Sequence, residues 1–76
     1  MEKEVEIKFE NKKLKPDEFY NYLKEEIEKQ KNILSKKYSK VEFDYFEIKQ
    51  YFDFNEFGEI EEEKIRSYIV LYFFVD

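Results

Sequence analysis

The C-terminal segment of this chain is apolar on both sides when it is read as a β-strand. Residues 64–75 are rich in β-branched and aromatic side chains and contain neither proline nor glycine, which favours a strand. Alternate positions place two apolar sets on opposite sides: Ile65, Ile69, Leu71, Phe73 and Val75 on one, and Tyr68, Val70, Tyr72 and Phe74 on the other. Such a strand belongs in the middle of a sheet that is covered on both faces.

A strand and a helix are predicted ahead of this segment. Apolar side chains alternate with charged ones near the N-terminus, at Val5, Ile7 and Phe9. This period of two predicts a half-buried strand over residues 3–10. Apolar residues then recur at steps of three and four from Phe19 to Tyr38, which predicts an amphipathic helix over residues 16–37. Pro16 suits the first position of that helix, where its missing N–H costs no hydrogen bond.

The alternation of apolar residues changes phase between residues 41 and 54. Two sets of opposite parity follow one another: Val41, Phe43 and Tyr45, then Phe46, Ile48, Phe52 and Phe54. A β-bulge near Tyr45–Phe46 reconciles the two sets within one strand. A helix is the alternative, because some of these residues also fall at helical spacing, but residue propensities favour the strand. The segment 55–58 contains the only glycine and predicts a turn in which Gly58 has a positive φ.

Together these elements predict an α+β fold with the order β-α-β-β, in a single small domain over residues 1–76. A right-handed crossover through the helix leaves a gap between two parallel strands. The third strand returns antiparallel and fills that gap, which gives the sheet order 1-3-2 with the helix across one face. Because one helix covers one face only, we expect the side that contains Tyr68 and Tyr72 to be an interface, with a partner or in a homodimer.

Acidic residues are concentrated in the second half of the chain. Residues 1–40 contain nine acidic residues and eleven lysines, a net charge of +2. Residues 41–76 contain ten acidic residues against three basic ones, a net charge of −7, together with eleven of the sixteen aromatic residues. The overall charge of −5 repels phosphates and argues against direct nucleic-acid binding. The acidic, aromatic half indicates a surface that binds a basic protein partner.

The composition also disfavours most kinds of catalysis. The chain contains no cysteine and no histidine, and so lacks the thiolate and imidazole groups of many nucleophiles, acid–base catalysts and metal sites. A single glycine cannot supply the glycine-rich loop that cradles phosphate groups. We therefore expect no enzyme activity, no resident metal and no cofactor. No apolar run approaches the length of a membrane span, and we expect a cytoplasmic protein.

The segment 53–64 resembles the calcium-binding loop of an EF-hand. Asp53 falls at loop position one, Asn55 at position three, Gly58 at position six and Glu61 at position nine. Two ligand positions, five and twelve, depart from the pattern and hold Phe57 and Lys64. The resemblance implies a helix on each side of the loop. A degenerate, EF-hand-like module that binds divalent cations is therefore one alternative interpretation.

The predicted function is a non-catalytic module that presents acidic and aromatic side chains to a protein partner. In size and charge the chain is similar to small acidic phage-encoded inhibitors of nucleases and CRISPR effectors. Carboxylates spaced along a hairpin can imitate a phosphate backbone and occupy a basic groove meant for nucleic acid. A structural homodimer without any other partner is a further alternative. The candidate contact residues are Asp53, Glu56, Glu59, Glu61, Glu62 and Glu63 for charge, and Tyr68 and Tyr72 as aromatic anchors.

Overall fold

The fold is α+β with the predicted element order. The computed structural model describes residues 2–60 and 65–76. Its elements are, in chain order, β1 (Lys3–Glu10), α1 (Pro16–Ser35), β2 (Val41–Tyr51) and β3 (Arg66–Val75). The three strands form one antiparallel sheet in the order β1-β3-β2, so the predictions of topology and strand order are confirmed.

The central strand is β3, and it pairs antiparallel with both of its neighbours. Phe73 lies opposite Val5 of β1 and opposite Phe43 of β2. The register with β2 shifts between Phe43 and Tyr45, which makes Asp44 the extra residue of a β-bulge. The predicted bulge is thus confirmed, one residue earlier than expected. Beyond it, the side chains of β2 change faces, as the change of phase in the sequence requires.

The helix α1 begins at the predicted residue and ends two residues earlier than predicted. Pro16 is its first residue, and the backbone N–H of Lys15 donates to the carboxylate of Glu18 at 3.4 Å. At the C-terminal end, the N–H of Lys37 donates to the carbonyl of Leu34 at 3.0 Å, a three-residue bond that tightens the chain into a turn. Tyr38 therefore lies beyond the helix.

The main core lies between α1 and the side of the sheet that it covers. Four side chains of β3 are almost completely buried there: Ile69, Leu71, Phe73 and Val75. From the helix, Leu23 and Leu34 pack against them. Half-buried residues of β1 and β2 complete this layer: Val5, Ile7, Phe9, Val41 and Phe43. Burial of these side chains supplies most of the free energy that holds the helix on the sheet.

The other side of the sheet, which we call the second face, is covered by side chains of its own strands. Tyr72 and Val70 are each only 4% exposed, although the described helix lies on the opposite side. The ring of Tyr45 stacks on that of Tyr72 with centroids 4.4 Å apart. Val70 lies between Lys8 and Glu47 in the register, and the alkyl parts of such long side chains can cover apolar neighbours. Tyr72 and Val70 are therefore shielded from water within the single chain, and the expected interface on this face stays a prediction.

The tyrosines of this fold have different environments, and an alkaline titration should separate them. A hydrogen bond with Lys3 lowers the pKa of Tyr38, whereas burial raises the pKa values of Tyr22 and Tyr45. We expect tyrosinate absorbance to show an early step that Tyr38→Phe removes, with Tyr22 and Tyr45 among the last to ionise. An early step of unchanged amplitude in Tyr38→Phe would contradict this assignment.

The same pKa shifts predict how stability changes at high pH. Tyr22 and Tyr45 hold their protons more tightly in the folded chain than in the unfolded chain, whose tyrosines ionise near the ordinary value of 10.0. Their contribution to the free energy of unfolding is therefore complete below that value and falls as the pH rises above it. The lowered pKa of Tyr38 acts in the opposite direction.

Candidate functional site

A short ordered turn closes the distal end of the β2–β3 hairpin; we call residues 52–60 the hairpin tip. The side-chain oxygen of Asn55 accepts hydrogen bonds from the N–H groups of Phe57 and Glu59, both at 2.9 Å. The backbone N–H of Asn55 also donates to the carbonyl of Glu59 at 2.8 Å. Gly58 has a φ of +78°, which confirms the predicted turn glycine. These bonds fix the tip without burying it.

The apolar side chains of the hairpin tip are largely exposed. Phe57 is 78% exposed and Phe54 is 66% exposed, and Phe52 and Ile60 also belong to the exposed set. Single exposed apolar residues are ordinary, but several large ones on one short turn form the kind of patch that marks a binding surface. The tip is therefore the strongest candidate for a protein contact among the residues that the structure describes.

Carboxylates alternate with these aromatic side chains. Asp53, Glu56 and Glu59 all lie in the tip and are exposed, as the sequence analysis expects of partner-contacting charges. The tip contains no lysine or arginine, so its formal charge is −3. The other three predicted carboxylates fall outside the described residues: Glu61, Glu62 and Glu63. The described part of the site is thus an acidic turn that carries exposed aromatic rings.

The two predicted tyrosine anchors lie on the second face, not on the tip. The ring of Tyr68 packs edge-on against Tyr51 with centroids 5.6 Å apart, and the Lys8 ammonium lies 4.2 Å from its centre. The ring of Tyr45 covers Tyr72. The pKa of Lys49 is raised by the nearby Tyr72, through its charge and through a hydrogen bond between the two side chains. Cation–π and ring contacts of this kind hold the second face together. Little of Tyr72 remains accessible to a partner.

A groove lies where the hairpin extends beyond the N-terminal end of α1, a feature that the sequence analysis missed. Its apolar lining includes Leu14, Pro16, Phe19, Ile48 and Ile65. Its charged lining consists of Lys12, Lys13 and Arg66, with one carboxylate, Glu10. The side-chain amide of Asn11 donates to the hydroxyl of Ser67 at 3.0 Å and ties the β1–α1 connection to β3. The groove is therefore part of the folded framework.

The EF-hand resemblance does not extend to the structure. The segments that should be its helices are strands β2 and β3. The side-chain oxygen of Asn55, which would be a calcium ligand, already accepts two backbone hydrogen bonds. Among residues 2–60 and 65–76, no group of three or more acidic, histidine or cysteine residues is arranged to hold a metal ion.

Comparison with other proteins leaves the site to be interpreted from its own geometry. No protein-family model matches the chain, and no curated protein or solved structure is significantly similar to it. The helix in the described part of the chain is not long and apolar enough to cross a membrane.

Proposed function

We propose that this chain is a non-catalytic binding protein and that the hairpin tip is the surface through which it contacts a basic protein partner. The observation that carries the proposal is the exposure of Phe54 and Phe57 on an ordered turn among carboxylates. Aromatic side chains that enter pockets of a partner often supply much of the binding free energy. The turn holds them in position before binding, which lowers the entropic cost of association.

The carboxylates support a basic partner. Asp53, Glu56 and Glu59 attract lysine and arginine side chains and disfavour acidic surfaces, so they contribute to both association rate and specificity. Their effect is long-ranged at low ionic strength and screened at high ionic strength. Binding through the tip should therefore weaken as salt is added, whereas the contribution of the aromatic rings should persist.

In its finer form, the proposal is that the chain inhibits a cytoplasmic enzyme that acts on nucleic acid. Such an enzyme carries a basic groove for phosphates, and spaced carboxylates can occupy it. Support comes from further exposed acids on β1 and β2: Glu4, Glu6, Glu42, Asp44 and Glu47. The partner should then lose its nucleic acid when this protein binds.

Affinity capture from the native host extract tests the tip as the binding surface. The baits are the wild type, Phe54→Ser with Phe57→Ser, and Glu56→Lys with Glu59→Lys. Each double variant should retain at least about tenfold less of the specific partner, which corresponds to a loss of about 1.4 kcal/mol. The matched control, Glu25→Lys with Glu28→Lys, makes the same charge change at exposed positions of the helix and should bind normally.

The same experiment tests the class of partner. The captured protein should be basic, its yield should fall with salt, and it should release a labelled oligonucleotide when this protein is added. Equal capture by the wild type and both tip variants would refute the tip as the contact surface. A captured partner that keeps its oligonucleotide would refute the proposal that the chain is an inhibitor. The proposal that the tip is the binding surface would still stand.

A further inference from the structure

We infer that the groove binds the hairpin tip of a second copy of this chain, so that two copies form a symmetrical dimer with reciprocal docking. This inference goes beyond the proposed function, because it concerns a second surface and a second occupant. It rests on the complementarity of two surfaces of the described chain and on the strand pairing that holds the hairpin extended.

The two surfaces are complementary in apolar character. Leu14, Ile48 and Ile65 are exposed in the single chain and belong to the apolar lining of the groove. Phe54 and Phe57 extend from the tip as the most exposed large apolar side chains of the described residues. Insertion of these rings into the groove removes apolar surface from water on both sides at once.

The two surfaces are also opposite in charge. The described lining of the groove has a formal charge of +2, from Lys12, Lys13, Arg66 and Glu10. The tip has a formal charge of −3, from Asp53, Glu56 and Glu59. This pairing selects an acidic, aromatic segment over a basic or purely apolar one. The tip is such a segment, and every copy of the chain presents it.

The geometry of the hairpin requires the docked tip to come from another copy. The strands are paired from Ile48–Ile69 to Tyr51–Arg66 alongside the groove, and Phe54 is bridged to Ile60 in the tip. Folding the tip back onto its own groove would break this pairing, so the extended hairpin holds the two surfaces of one chain apart. When two copies meet about a twofold axis with their hairpins antiparallel, each tip reaches the other groove. This closed arrangement uses both surfaces of both copies.

Charge reversal on each surface provides the test, with mass measured by light scattering and sedimentation over a concentration series at low salt. The wild type should form dimers that dissociate as salt is added. The groove variant carries Lys12→Glu, Lys13→Glu and Arg66→Glu, and the tip variant carries Asp53→Lys, Glu56→Lys and Glu59→Lys. Each alone should dimerise at least about tenfold more weakly.

Mixing the two variants makes the test specific. In the groove variant both surfaces are acidic, and in the tip variant both are basic, so an equimolar mixture should form a one-to-one heterodimer with both contacts restored. The control Lys24→Glu, Lys29→Glu and Lys36→Glu changes the charge equally at exposed positions of the helix and of the residue that caps its C-terminal end, and it should dimerise like the wild type. Circular dichroism verifies that each variant is folded.

Three results would overturn the inference. The first is a wild type that stays monomeric up to about 1 mM, where even weak specific contacts are populated. The second is a dimer whose dissociation constant is the same in both variants and the control. The third is a mixture of folded variants that remains monomeric. The dimer and a complex with the basic partner use the same tip and would compete for it. None of these three results bears on partner capture by the monomer, so the two proposals fail separately.

Discussion

Replacement of Phe73 by alanine is expected to leave most of the protein unfolded at room temperature. Phe73 of the central strand β3 is 0% exposed, and its ring meets that of Phe43 edge-on with centroids 5.5 Å apart. Removing a buried phenylalanine ring costs about 3–5 kcal/mol, because the cavity is only partly refilled. A single core in a chain of this size supplies about 3–5 kcal/mol in total. The loss is therefore comparable to the whole stability.

The neighbouring residue provides a matched control for this prediction. Phe74 has the same side chain, but it lies on the second face near the end of the strand and is 38% exposed. We expect Phe74→Ala to cost only about 1 kcal/mol, as is common for partly exposed positions. Urea unfolding followed by circular dichroism measures both. Equal losses for the two variants would show that the helix side is not the main core.

Replacement of Tyr72 by alanine is expected to have the second largest effect on stability, a loss of about 2–4 kcal/mol. Tyr72 is buried between β1 and β2, and its ring stacks on that of Tyr45. Its removal would uncover the adjacent Val70 and leave Tyr45 without its stacking partner. Such a loss is typical of a core residue, although the second face has no described helix over it.

Phe57 is the control that separates burial from ring size. It is the most exposed large apolar residue described, and Phe57→Ala should change the free energy of unfolding by less than about 0.5 kcal/mol. Urea titrations of both variants give the comparison. If Tyr72→Ala instead keeps full stability while partner binding is lost, the second face is a recognition surface and our account of its packing is wrong.

The position of β3 could be predicted because its sequence leaves few alternatives. Both sides of β3 carry apolar side chains that must be shielded from water: Ile69 and Leu71 on one side, Val70 and Tyr72 on the other. A strand in the middle of a sheet has neighbours that shield both of its sides. The bulge could be predicted because the parity of apolar residues in β2 changes within a continuous strand. Both features depend only on the pattern of apolar residues within a single segment of the sequence.

The cover of the second face could not be predicted in this way, since it depends on register. The bulge at Asp44 brings Tyr45 opposite Tyr72, and β1 brings Lys8 opposite Val70. A shift by one residue would turn these side chains to the other side of the sheet. The alternation of Glu4, Glu6 and Lys8 predicts a solvated surface, but Glu6 and Lys8 lie opposite the buried Tyr72 and Val70 of β3.

The candidate site was predictable only in part for a related reason. The tip carboxylates and the turn at Gly58 could be predicted from the local sequence. Tyr68 and Tyr72 lie away from the tip, because both belong to β3 and are part of the sheet. The groove depends on where α1 begins relative to the length of the hairpin. Leu14, Ile48 and Ile65 are distant in sequence and form no motif, so only the assembled fold reveals them.

The central claim is that exposed aromatic rings on the acidic hairpin tip are the recognition surface of this protein. The most direct measurement is quantitative affinity capture with the wild type and with Phe54→Ser plus Phe57→Ser, after circular dichroism shows equal folding. We predict that the double variant loses at least about nine tenths of the salt-sensitive basic partner, a tenfold change in affinity. Equal recovery of that partner by the two baits would contradict the claim.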